Sequence, residues 1–227
     1  MQQESPAANG DLLPDLVMLP LESFHVAYEG DQKVLRFTTN VLNGGNAPLD
    51  VTGSRAGVGD LDLTVSQSIL KSDGSARTVK TKAIMRYEMV DGHDHFHVQD
   101  FERYQIRPEN GTTWTGSRKE GFCLRDDGNL QGKPSRYDDA DFDCGTDEKD
   151  TALTVRQGLS EGWVDVYDWY LEGQYIELKD LELPGNFCVQ AEADPGHFLT
   201  ESTRENNVTS ALLRISDSDV SVIRQGC

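Results

Sequence analysis

The sequence predicts an all-β protein, a β-sandwich with long polar loops and few or no helices. Three observations carry that expectation. Apolar and polar residues alternate with period two in several short runs. Glycine-rich turn signals separate those runs. No segment shows three turns of helical periodicity capped at both ends. Many short strands joined by such turns bury their apolar faces by stacking two sheets.

Residues 33–42 (KVLRFTTNVL) and 61–65 (LDLTV) read as the first strands, and 187–191 (FCVQA) and 209–215 (TSALLRI) as the last. Turns are expected at Asn43-Gly44-Gly45-Asn46, Ser72-Asp73-Gly74, Asn110-Gly111 and Pro184-Gly185-Asn186. Residues 126–160 are polar, rich in Asp and Gly and weakly periodic, so they are expected to form a long loop held by a cysteine at either side. The first ten residues lack an apolar core segment, unlike a signal peptide. Residues 1–13 are expected to be a polar leader without order of its own, and residues 14–227 a single domain.

With 39 acidic against 21 basic residues, the net charge is -18. That speaks against nucleic acid, whose binders need basic stripes. It suits cationic partners such as amines or lysine-rich proteins, and it equally suits a surface adapted to high salt. No stretch reaches the ~18 apolar residues of a membrane helix, so no membrane partner is expected. The four cysteines, Cys123, Cys144, Cys188 and Cys227, form no C-x-x-C pair. Two disulfides and an oxidising compartment are expected, with Cys123–Cys144 and Cys188–Cys227 favoured among three pairings. Four reduced, buried thiols are the alternative.

The sharpest local feature is Gly92-His93-Asp94-His95-Phe96-His97, which holds three of the five histidines. Alternate residues of a strand share a face, so the three imidazoles point one way. Neighbouring pairs can converge on a metal. The outer two, about 13 Å apart on a flat strand, require a bend, which Gly92 would permit. An incidental polar face is the plainer reading. Imidazole ligation suits copper, zinc, iron or nickel. His25 and His197 stand alone and read as surface or loop residues.

Beyond this strand the chain resembles the lysyl oxidase family. His93-Asp94-His95-Phe96-His97 with downstream Tyr104 is similar to the family's H-x-H-Y-H strand and its following tyrosine. Lys119-Glu120-Gly121-Phe122-Cys123-Leu124-Arg125-Asp126 resembles K-A-S-F-C-L-x-D, and Gly162-Trp163-Val164-Asp165-Val166-Tyr167 resembles G-C-x-D-x-Y. Gln174-Tyr175-Ile176-Glu177-Leu178, Pro184-Gly185-Asn186-Phe187, Glu201-Ser202 with Asn206-Asn207, and Pro14-Asp15-Leu16-Val17 continue the match in order.

The resemblance implies a secreted, copper-dependent amine oxidase of the protein-lysine 6-oxidase kind. It places Cu(2+) on His93, His95 and His97. It makes Lys119 and Tyr167 the cross-linked pair of a lysine tyrosylquinone, whose free carbonyl takes up a primary amine and yields an aldehyde, ammonia and hydrogen peroxide. Small amines or peptidyl lysine are the implied substrates, and Zn(2+) can replace copper in an immature form. Asp165, on the same strand face as Tyr167, is a candidate general base; a solvated aspartate is the alternative. The resemblance also implies Ca(2+) on Asp15, the carbonyl of Leu16, Glu201, Asn206 and Asn207, although Thr203 stands where the family carries aspartate. Trp163 replaces a family cysteine, and the cysteine before the histidine strand is absent. Two alternatives stay open: a secreted metal-binding β-sandwich module without catalysis, and a metalloenzyme without a quinone.

Overall fold

The computed structural model describes residues 7–90, 93–137, 144–145 and 149–227; of residues 90, 93, 116–120 and 149 it describes the backbone. The chain opens with β1 (Asp11–Leu12), β2 (Leu16–Met18), β3 (Glu22–Glu29), β4 (Gln32–Asn43) and β5 (Leu49–Ser54). The longest strands follow: β6 (Asp62–Lys71), β7 (Ala76–Val90), β8 (His93–Pro108) and β9 (Thr115–Phe122). A polar stretch with β10 (Gly128–Asn129) and a 3-10 turn (Lys149–Thr151) leads to β11 (Thr154–Leu159) and β12 (Trp163–Tyr167). Last come β13 (Tyr175–Glu177), β14 (Gly185–Ala193), β15 (Val208–Ile215) and β16 (Val220–Gln225).

These strands build two antiparallel sheets. The larger runs β11-β5-β6-β7-β8-β14-β15-β16, with β1 on β6 and β9 on β8. The smaller is organised on β4, which pairs with β2, β3, β12 and β13. The core lies between them. From the large sheet come Leu63, Met85, Phe96, Val98, Ile106 and Val189, and from the small sheet Leu35, Phe37, Val41 and Ile176. No helix among the described residues is long and apolar enough to cross a membrane.

The all-β expectation holds, and the strands expected at 33–42, 61–65, 187–191 and 209–215 fall within β4, β6, β14 and β15. Three details differ. Residues 154–159, expected within a loop, form β11 at the edge of the large sheet, in register with β5. Gln157 occupies an inward position there, which breaks the apolar alternation. Its amide is satisfied internally, donating to the Phe96 carbonyl at 2.6 Å and accepting from Leu124 N at 3.2 Å. Gly185 and Asn186, expected in a turn, already pair with β15. Asp11 and Leu12, expected in the leader, pair with β6, and Asp11 binds Arg77 at 2.6 Å.

Both favoured disulfides are present, Cys123–Cys144 and Cys188–Cys227. The first anchors the polar stretch, whose Asp126 accepts from Ser135 Oγ, Ser160 N and Ser160 Oγ at 2.6–2.7 Å. The second fastens the chain end to β14. Closing a loop of 39 residues restricts the unfolded chain, so the Cys188→Ser/Cys227→Ser double variant is expected to lose about 3–4 kcal/mol in urea unfolding.

Candidate functional site

His95 and His97 lie at the start of β8, opposite Glu88 and Arg86 of β7. Phe96 between them is fully buried in the core, so alternation turns both imidazoles to the other face of the sheet. Their Nε2 atoms meet at 2.8 Å, with the rings nearly perpendicular. His97 Nδ1 lies 2.7 Å from Glu88 Oε2, and Glu88 Oε1 accepts from Gln99 at 2.7 Å. A carboxylate on Nδ1 favours the tautomer whose Nε2 lone pair is free to accept. In this arrangement His95 Nε2–H donates to it.

That pair fits a metal ion. Two nitrogens each ~2.0 Å from one ion and about 90° apart are about 2.8 Å from each other. The backbone of His93 pairs with Val90, while its side chain and Gly92 lie outside the described residues. Among the described residues no three His, Cys, Asp or Glu side chains form a metal-binding group. The bend expected near Gly92 falls outside the described residues; further along β8 the register shifts between Val98 and Glu102, and Asp100 adopts a φ of 56°.

Tyr167 ends β12, in register with Thr39 of β4. Its ring lies against Phe122, centroids 3.7 Å apart, and its hydroxyl accepts from Cys123 N at 2.8 Å. Burial, with Asp165 as the next cause, pushes the Tyr167 hydroxyl well above the usual tyrosine range. Lys119 lies on β9 with its backbone opposite Arg103; its side chain lies outside the described residues. Gly121, two residues on, sits so close to β8 that a Cβ would come within 3.0 Å of His97 Cβ and Gln99 Nε2. Residues 121–123 therefore touch the histidine strand on one side and Tyr167 on the other.

A polar layer in the core adjoins Tyr167. Tyr104 donates to Gln174 at 3.0 Å and lies 3.2 Å from Thr39 Oγ1. Gln174 donates to the Phe37 carbonyl at 3.0 Å. Asp165 is not the solvated aspartate of the plainer reading but is 1% exposed, and Glu102 is fully buried. The carboxyl oxygens of both lack hydrogen-bond partners. Burial raises both, Glu102 to about 8 and Asp165 well above the carboxylate range; Asp127 and then Glu102 push Asp165 further.

Asp15, Leu16, Glu201, Asn206 and Asn207 come together where β2 meets the turn before β15. Glu201 accepts from Leu16 N at 3.0 Å and from Asn207 Nδ2 at 2.8 Å, and Asp15 accepts from Asn206 Nδ2 at 2.9 Å. The buried Oδ1 atoms of Asn206 and Asn207 have no partner, a donor set that fits a hard cation. Burial holds Glu201 up at about 7. Arg204 already sits on Glu201 at 2.8 Å and on Asp194 at 3.0 Å, and it competes for the same carboxylate. His25 is exposed, stacked on Trp169, and His197 is exposed in a turn.

Sequence reading missed Glu88, Gln99, Glu102 and Arg204. None belongs to a motif, and each acquires its place only through strand pairing or the turn at residues 201–207.

The Lysyl oxidase family model matches residues 60–227, which include the histidine strand, the Lys119 segment and Tyr167. The chain belongs to the lysyl oxidase family. Among curated relatives, protein-lysine 6-oxidase of Homo sapiens is 27% identical over 89% of this chain and 46% of its own length. Its Sus scrofa counterpart is 26% identical over 89% of this chain and 76% of its own length. Lysyl oxidase homolog 3B of Danio rerio is 31% identical over 51% of this chain and 13% of its own length. The chain thus spans less than half of the human and zebrafish proteins.

Replacing Tyr167 by Phe leaves the buried Cys123 N–H without an acceptor. In metal-free protein this change is expected to cost about 1–3 kcal/mol, read as a lower urea midpoint with unchanged slope.

Proposed function

We propose that this protein is a secreted copper amine oxidase, which converts a primary ammonium, dioxygen and water into an aldehyde, ammonium and hydrogen peroxide. The observation that carries the reading is the contact of residues 121–123 with both His97 and Tyr167. It supports the reading because the residues just after Lys119 run between a convergent histidine pair and a buried tyrosine. His93, His95 and His97 would hold Cu(2+), with Glu88 orienting His97. When bound, copper and the lysine tyrosylquinone of Lys119 and Tyr167 supply the electrophilic carbonyl and the route for electrons to dioxygen.

The chain's own residues support that chemistry by position and exclusion. Phe122 packs over the Tyr167 ring and Cys123 N fixes its hydroxyl, so the ring is held and shielded from bulk water. The disulfide at Cys123 and the bond from Phe96 N to the Cys144 carbonyl at 2.8 Å tie that segment to the histidine strand. Asp15, the Leu16 carbonyl, Glu201, Asn206 and Asn207 would hold Ca(2+), with Arg204 and Thr203 lowering its affinity. A net charge of -18 favours cationic substrates, lysine side chains of proteins or small amines. The disulfides suit an extracellular setting. Zn(2+) at the histidines without the cross-link would be the immature form.

Protein matured with copper in air is expected to release hydrogen peroxide from an alkylamine. His95→Ala should abolish both copper retention and peroxide; a His95→Ala protein with wild-type activity would refute the assignment. Glu88→Gln should weaken metal binding about 10–100-fold, measured by competition with a chelator. An unchanged affinity would show that Glu88 does not orient His97.

A further inference from the structure

Two acids lie buried in the polar layer of the core, Asp165 next to Tyr167 on β12 and Glu102 on β8. Asp165 and Tyr167 alternate on β12, so their side chains share the core face about 7 Å apart at Cβ. Asp165 is the largest charged influence on the Tyr167 hydroxyl. Glu102 comes from the opposite sheet, two residues before Tyr104 on β8, and its field reaches Asp165. All four carboxyl oxygens are buried without a hydrogen bond. A buried carboxyl without a hydrogen bond is costly in a core, and two of them are a poor way to stabilise a sandwich. Thr39 and Tyr104, whose hydroxyls lie 3.2 Å apart, are the polar groups that favour the Glu102 carboxylate, and burial outweighs them.

We propose that Glu102 and Asp165 act as a coupled pair, in which Asp165 is the general base of amine oxidation and Glu102 is the positioning residue that sets when Asp165 can act. This rests on the amine-oxidase reading above. In the step concerned, the C–H bond of the carbon bearing the amine nitrogen breaks. Its proton goes to the Asp165 carboxylate and its electron pair to the ring of Tyr167 in its quinone form. Water releases the aldehyde, and dioxygen, the co-substrate of the proposed activity, takes up the electron pair with two protons, the one held by Asp165 and one from the amine nitrogen, and becomes hydrogen peroxide.

The groups facing Asp165 are Glu102 from β8, Asp127 and Arg125 from the segment between β9 and β10, and Tyr167 on its own strand. Glu102 faces Tyr104 and Thr39, and its backbone pairs with Glu120. Burial and the neighbouring negative charges oppose ionisation of Asp165, and Arg125 favours it. Removing the Glu102 charge should therefore let Asp165 ionise at lower pH. The alkaline demand that the pair imposes would relax, and the rising limb of the kcat profile would move toward acid.

The test compares wild type, Glu102→Gln and Asp165→Asn, each matured with copper in air and checked for copper content and quinone absorbance. Glu102→Gln is expected to move the rising limb of kcat down by about one pH unit, with KM little changed. Asp165→Asn should lower kcat by about 10²–10⁴-fold while copper and quinone persist. Carbon-13 NMR titration of the carboxyl carbons, which needs no turnover, should show Asp165 titrating at lower pH in Glu102→Gln. An unmoved Asp165 titration or an unmoved rising limb would overturn the coupling. Wild-type-like turnover in Asp165→Asn would overturn the base. Wild type that releases no peroxide would refute the amine-oxidase reading and the base with it, and the NMR arm would show that failure apart from a failure of the coupling.

Discussion

Strand β8 has to serve two environments along sixteen residues. At its start it turns imidazoles away from the core while Phe96 and Val98 fill it; further on it sends Glu102, Tyr104 and Ile106 inward against the small sheet. One straight ladder would carry β9 past these positions in fixed register. The bulge between Val98 and Glu102, with Asp100 at positive φ, releases that register. There β9 approaches so closely that a Cβ at Gly121 would lie 3.0 Å from both His97 Cβ and Gln99 Nε2. The approach of residues 121–123 to both His97 and Tyr167 follows from that local irregularity.

The second sheet supplies the other half of the site through β4. Its residues Thr39 and Val41 register against Tyr167 and Asp165 of β12, and the Thr39 hydroxyl meets Tyr104 across the core. A sandwich core is normally apolar at this depth, and a buried polar group is tolerated when it is satisfied. Tyr104 and Gln174 meet that condition. Glu102 and Asp165 do not. The contrast within one layer separates polar residues that bridge the two sheets from the two acids on which the proposed proton transfer rests.

Period two made the main strands legible in the sequence, and alternation placed His95 and His97 on one face before any coordinates. The disulfide pairing was legible too, because the cysteines bracket separate segments. Strand β11 was not, because its central inward residue is Gln157, whose partners are backbone groups of distant segments. Glu88 was equally hidden, since only pairing between β7 and β8 brings it to His97. Glu102 sits in the run FERYQI, where a glutamate reads as solvent-facing. Its burial is set by the small sheet packed over that face of β8, information that a local pattern does not contain.

The proposed joining of Lys119 to Tyr167 is the point on which the proposed function turns, since it would give the histidine pair, the shielded tyrosine and the buried acids a common purpose. Intact-mass measurement with peptide mapping of copper-matured protein tests it most directly. One cross-linked peptide containing both Lys119 and Tyr167 is the result expected. Two unlinked peptides from protein that holds copper and has been exposed to oxygen would contradict it.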